Sequence, residues 1–140
     1  MTGPVLIIED EPDIAEVLRY SLEKAGFPTR TTLTGEEGLK AALDGTNPPA
    51  LILLDLLLPG MNGLEICRRL RNEPTTNRTP ILIITAKALP ADINASLELG
   101  ANDFVVKPFS VREVVGQVRS LLLTTERQSH EGGRPGMDHP

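Results

Sequence analysis

Four short apolar runs each end on residues that can do chemistry. Glu9, Asp10 and Glu11 follow Val5–Ile8, Asp55 follows the run 51–54, Thr85 follows 81–84 and Lys107 follows 104–106. At any single place a polar residue is ordinary, because a chain turns polar where it leaves a core. At four ends of one buried sheet, the same feature collects acids, a hydroxyl and an amine on a common edge. Asp10 and Asp55 would follow strands that neighbour each other. Two carboxylates held close repel, and one takes up a proton unless a cation lies between them. A hard divalent ion meets that need, and Mg²⁺ favours carboxylate oxygen, retained waters and six-coordinate geometry.

The elements that must position these groups follow from the apolar pattern. Unbroken aliphatic runs at 5–8, 51–54 and 81–84, with a shorter one at 104–106, suit strands buried on both faces of a parallel sheet. A mixed polar and apolar run at 29–33 suits an edge strand. Between them lie helical patterns. The stretch 13–25 places Ile14, Val17, Leu18 and Leu22 on one face and stops at Gly26. Thr34 with Glu37 forms a capping pattern for a helix to about Asp44. The stretch 62–72 carries Leu64, Ile66, Cys67 and Leu70, and 90–99 opens on Pro90 and ends before Gly100. Ser110, with Glu113 three residues on, caps a helix carrying Val114, Val115, Val118, Leu121 and Leu122. Five strand–helix repeats with right-handed crossovers predict an α/β, doubly wound parallel sheet, whose ligands bind at the carboxyl ends of the strands.

Composition narrows the function. The chain has 140 residues, enough for one domain, and 40% of them are hydrophobic, enough for a core. Its aromatics are Tyr20, Phe27, Phe104 and Phe109, too few for a nucleic-acid stacking platform, and a net charge of −5 disfavours phosphate backbones. The basic group Arg68, Arg69 and Arg71 reads as a solvated helix face. Cys67 is the one cysteine and reads as a small buried hydrophobe. No apolar stretch reaches the ~20 residues of a membrane helix. No signal peptide is visible, so the expected compartment is cytoplasmic. From Thr124 the chain is polar and rich in Gly and Pro, and 124–140 is expected to be a disordered tail or linker in which His130 and His139 are solvated.

The blocks IEDE at 8–11, LDLLLPGMNG at 54–63, ITAK at 84–87 and GANDFVVKPF at 100–109 resemble the receiver domains of two-component response regulators, the CheY-like superfamily. The resemblance covers about residues 4–123, with the motifs in order and at ordinary spacing, so 1–123 is taken as one receiver domain. It implies a flavodoxin-like five-stranded sheet of order 2-1-3-4-5 flanked by five helices. It implies that Asp55 is the phosphoacceptor, attacking the phosphorus of a phosphohistidine on a sensor kinase or phosphotransfer protein to give a 4-aspartylphosphate. Asp10, Asp55 and the backbone carbonyl of Leu57 would bind Mg²⁺ directly, and Glu9 through a water. Lys107 would pair with the phosphoryl oxygens, and Thr85 would donate its hydroxyl to them. Pro108 permits a cis bond that the family uses to aim the amine. Thr85 and Phe104 would carry the switch: the hydroxyl moves to the phosphoryl group and the aromatic swings into the vacated space. Leu57 and Lys87 would tune the lifetime of the phosphorylated form, with the bulk of Leu57 hindering water. Such a domain signals, and catalyses only its own phosphorylation and dephosphorylation.

Three other readings share parts of this pattern. A haloacid-dehalogenase-type phosphatase needs a second acid two residues after its nucleophile, where Leu57 stands. A nucleotide-binding module needs a Gly-rich loop after the first strand. A phosphorylation-independent adaptor would not need the full set of acids with Thr85 and Lys107. For output, the resemblance points to the fourth helix, fifth strand and fifth helix, as a target surface or as a phosphorylation-dependent homodimer. Glu98, Asp103, Arg112, Glu113 and Arg119 suit that dimer, whereas Ile93, Ala95 and Gln117 stand where charges are common. Ile93 and Leu97 are either an apolar patch for a partner or core contacts. The sequence fits both a stand-alone regulator and a receiver within a longer protein.

Overall fold

The structure, a computed structural model, describes residues 3–86 and 89–131, except the side chains of 125–131. The elements run β1 (Val5–Ile8), α1 (Pro12–Lys24), β2 (Thr29–Thr32), α2 (Gly35–Ala42), β3 (Leu51–Asp55), α3 (Gly63–Arg71), β4 (Ile81–Thr85), α4 (Pro90–Glu98), β5 (Asp103–Val106) and α5 (Val111–Glu131). The five strands form one parallel sheet in the order β2-β1-β3-β4-β5. Every residue of β1, β3 and β4 is buried, as the unbroken aliphatic runs require, and β2 at the edge is half-exposed.

Helices cover both faces. One core layer packs Leu6, Ile8, Ile52, Leu54 and Ile83 against Ile66, Cys67 and Leu70 of α3, with Leu39 of α2. The other packs Val5, Ile7, Leu53, Leu82 and Ile84 against Leu18 and Leu22 of α1, with Val114 and Val118 of α5. Alternate strand residues thus feed opposite faces, as the pleat dictates. The expected caps form: Thr34 accepts from the Glu37 N–H at 3.1 Å and Ser110 from the Glu113 N–H at 3.0 Å. Asn62 also accepts from the Leu64 N–H at 2.8 Å, which starts α3 directly beyond the loop that follows Asp55.

Three expectations change. Val17 is half-exposed, and Ala15 takes the buried place beside Leu18, because α1 is rotated slightly about its apolar stripe. Arg71 is not solvated. Its guanidinium turns inward and donates to the carbonyls of Gly100, Thr76 and Thr79 and to Asn102 Oδ1, at 2.7–3.0 Å. Arg68 and Arg69 do face solvent, and both pair with Glu65. Finally, α5 continues through Thr124 to Glu131 rather than ending near Leu123. No Gly or Pro interrupts that stretch before Gly132, and Glu126, Arg127 and Gln128 are good helix formers. Of the tail expected at 124–140, residues 132–140 with His139, and the side chain of His130, lie outside the described residues.

Candidate functional site

The parallel sheet brings the carboxyl ends of β1, β3, β4 and β5 to one edge. Ile8 is in register with Leu54, so Glu9 comes off β1 beside Asp55 at the end of β3. Asp55 is paired with Ile84, one residue before Thr85, and Thr85 with Val106, one residue before Lys107. The sheet therefore delivers all four groups to a common place before any loop is considered.

There they converge on one amine. Lys107 Nζ lies 2.9 Å from Asp55 Oδ2, 2.9 Å from Glu9 Oε1 and 3.0 Å from Glu11 Oε1. It donates hydrogen bonds to Asp55 and Glu11. Its contact with Glu9 is an ion pair without hydrogen-bond alignment, so the buried Oε1 accepts no hydrogen bond. The other oxygen of Glu9 accepts from the Glu11 N–H at 3.2 Å. Asp55 Oδ1 accepts from the Leu57 N–H at 2.9 Å, which fixes the carboxylate's orientation. Glu9 is 2% and Asp55 3% exposed, and the lysine side chain is 11% exposed, so the cluster is largely buried, with the exposed Glu11 on its solvent side. Thr85 is fully buried, its carbonyl accepting from the Lys107 N–H at 2.8 Å. The Lys107–Pro108 bond is cis.

Charge and burial pull against each other here. Burial pushes the Glu9 carboxyl up to about 7, with the Asp55 charge adding to the rise, while the Lys107 amine and the Glu11 N–H pull it back. For Lys107, burial alone would lower the pKa, but the close carboxylates of Glu9, Asp55 and Glu11 outweigh it and hold the amine above the ordinary lysine range. It is a committed cation.

One carboxylate oxygen each from Glu9, Glu11 and Asp55 lie within 4.8 Å of one another. Within this cluster the buried Glu9 and Asp55, with Glu9 Oε1 accepting no hydrogen bond, offer the carboxylate oxygens that a hard divalent ion seeks, so the residues fit Mg²⁺. Among the described residues the cluster does not include Asp10, which is half-buried in the loop between Glu9 and Glu11. Lys107 gathers Glu9 and Glu11, the acids on either side of Asp10 in the chain.

The remaining expected residues fall at the periphery. Leu57 has its backbone tied to Asp55 and is 48% exposed. Phe104 is half-buried against the α3 side of the core. Lys87 lies outside the described residues. Ile93 is buried and Leu97 is exposed, so the apolar pair divides between core and surface. Asp103 accepts from Gln117 at 3.1 Å and the Arg119 guanidinium lies over the Phe27 ring, so both engage within the chain. Glu11, in sequence only one of a run of acids, is a direct partner of the lysine. The signal for it is its two-residue spacing from Glu9.

A doubly wound α/β domain with a strand-end carboxylate, a buried acid beside it and a lysine cation defines a phosphoacceptor-type switch rather than a nucleotide-binding fold. The family model for the response regulator receiver domain matches residues 5–119, and the chain belongs to that family, whose role is phosphoryl acceptance in two-component signalling and whose members bind Mg²⁺ at an acidic pocket. It is 43% identical over 131 residues to the uncharacterised transcriptional regulatory protein YkoG of Bacillus subtilis, covering 94% of this chain and 56% of that one. It is 42% identical over 126 residues to the alkaline phosphatase synthesis transcriptional regulatory protein PhoP of the same organism, covering 90% and 51%. The chain thus spans about half the length of these curated relatives. Among solved structures, the signal receiver domain of a signal transduction histidine kinase from Syntrophus aciditrophicus superposes with a TM-score of 0.80 at 35% identity, covering 89% of this chain and 93% of that one. No described helix is long and apolar enough to cross a membrane.

Proposed function

We propose that Asp55 of this chain accepts a phosphoryl group from a phosphohistidine on a sensor kinase or phosphotransfer protein, in a Mg²⁺-dependent reaction. The observation that carries this reading is the Lys107 amine 2.9 Å from the buried Asp55 Oδ2 and 2.9 Å from the buried Glu9. An Asp55 carboxylate oxygen attacks phosphorus. The P–N bond to the donor imidazole breaks as the P–O bond forms, and the ring, protonated on its other nitrogen, leaves as neutral imidazole. The Leu57 N–H holds the other oxygen, so the attacking geometry is set before the donor arrives. Lys107 follows the charge from the carboxylate to the phosphoryl oxygens, and the buried Thr85 supplies a hydroxyl at the adjacent strand end.

Glu9 and Asp55, with Asp10 and the Leu57 carbonyl from the same two loops, are the residues that would hold Mg²⁺. Bound there, it would neutralise the charge that builds on the transferring group. The added charge of about −1.5 to −2 then rearranges Thr85 and Phe104 and alters the face of α4, β5 and α5, which would meet a partner. The exposed Leu57 and Lys87 would set how fast water removes the group. A groove beside the pocket, lined by Glu11, Ile14, Val17, Lys107 and Phe109, gives a donor protein access to the rim. Incubation with acetyl phosphate and Mg²⁺ tests the reading: intact mass should rise by one base-labile phosphoryl group, and chelation of the metal should abolish the gain. No gain with wild-type chain at saturating Mg²⁺ overturns it.

A further inference from the structure

Lys107 has three N–H donors, and three acids surround it: Glu9, Asp55 and Glu11, all at 2.9–3.0 Å. The amine donates to Asp55 and Glu11 and is ion-paired with Glu9 at 2.9 Å, so an incoming phosphoryl oxygen competes with these acids for it. Releasing Glu9 strands a carboxylate that is 2% exposed. Asp55 is the group to which the phosphoryl is being joined. Glu11 differs from both. Its side chain is 57% exposed, so water replaces the amine as soon as it departs.

We propose that Glu11 is a positioning residue that restrains Lys107 over Asp55 in the unphosphorylated state, surrenders it as the phosphoryl group arrives, and thereby slows phosphorylation. This rests on the reading of Asp55 as phosphoacceptor. Two features of the site support it. Glu11 is the N-cap residue of α1, yet its side chain caps nothing in the helix, so its polar end is committed to the lysine instead. It also lines the groove outside the pocket, at the rim an anionic donor must cross. The restraint holds in the ground state and is already broken in the transition state, so abolishing it speeds the step.

The test compares initial rates of mass gain from acetyl phosphate for wild type, Glu11→Gln, Glu11→Ala and Glu11→Asp, across a Mg²⁺ titration. Removing a largely exposed ion pair predicts a rate roughly two- to fivefold higher for Gln and Ala at saturating Mg²⁺. The Mg²⁺ concentration at half-maximal rate should stay the same. Glu11→Asp keeps the charge but is a methylene too short to hold the amine, so it too should exceed wild type. A slower or unchanged rate in Gln and Ala overturns the proposal, as does a raised Mg²⁺ requirement, which would make Glu11 a metal ligand. An Asp variant equal to wild type beside a fast Gln variant also overturns it, by assigning the effect to charge at the rim. If wild type gains no phosphoryl group, the phosphoacceptor reading fails and takes this one with it; if wild type is phosphorylated and the variants are no faster, only this one fails.

Discussion

Replacing Lys107 by methionine removes the cation from among Glu9, Glu11 and Asp55, and its cost should depend on pH. Glu9 and Asp55 are both buried and both 2.9 Å from the amine. Removing one partner of a buried pair costs about 3–5 kcal/mol, because the charge left behind has neither partner nor water. Glu11, largely exposed, regains water and adds little. Glu9 supplies the pH dependence. Its carboxyl is pushed by burial from 4.5 to about 7, and Lys107 is one of the influences holding it from rising further. A carboxyl with a raised folded pKa binds more protons folded than unfolded, so its contribution to stability falls as pH rises from 4.5 through about 7. Below about 7 Glu9 is mostly neutral in the folded chain with or without the amine, and the variant strands Asp55 alone. Above it, the variant strands both acids. The stability that Lys107 itself gains from its raised pKa is present below 10.5 and is lost only at more alkaline pH, so it does not distort the comparison. Urea unfolding without divalent ions should therefore show a loss of about 3–5 kcal/mol near pH 8.5 and roughly half of that near pH 5.5. An equal loss at both, or a larger one at the acid pH, refutes the reasoning.

Three further outcomes follow from particular residues. Gly63→Ala would put a Cβ 2.6 Å from Leu56 Cα and 2.9 Å from the Asp55 carbonyl; this backbone cannot yield, so stability should fall by about 1–3 kcal/mol and the phosphorylation rate should drop, both read on the purified variant. Arg71→Met would leave the carbonyls of Gly100 and Thr79 without their donor and take one of two from Thr76; urea unfolding should show a loss of about 2–4 kcal/mol, against less than ~0.5 kcal/mol for the exposed Arg69→Met. Cys67 is fully buried, with its thiol pushed up to about 11 by burial, so thiol reagents should leave it unmodified in native protein near neutral pH and label it on unfolding.

Much of this is legible in the chain itself, for identifiable reasons. Strands buried on both faces carry continuous aliphatic runs, so β1, β3 and β4 stand out, and with them the edge where Asp55, Thr85 and Lys107 meet. Capping side chains act locally, so Thr34 and Ser110 can be read from spacing alone. Arg71 cannot. Its acceptors are carbonyls on two distant loops, and backbone groups leave no trace in a residue pattern. That Glu11 is a partner of the lysine is hidden for a related reason. Three consecutive acids look alike in sequence, and which of them meet an amine from β5 depends on how the chain leaves β1. The end of α5 lies further along than composition suggests, because the polar residues after Thr124 are also helix formers.

The account stands on one side chain taking the phosphoryl group. The direct measurement is proteolysis of chain phosphorylated by acetyl phosphate and Mg²⁺, followed by mapping of the labile group along the peptides. The account predicts the label on the peptide containing residue 55, and none on Asp55→Asn treated identically. Label retained in that variant, or found on the peptide that carries Glu9, Asp10 and Glu11, would contradict it.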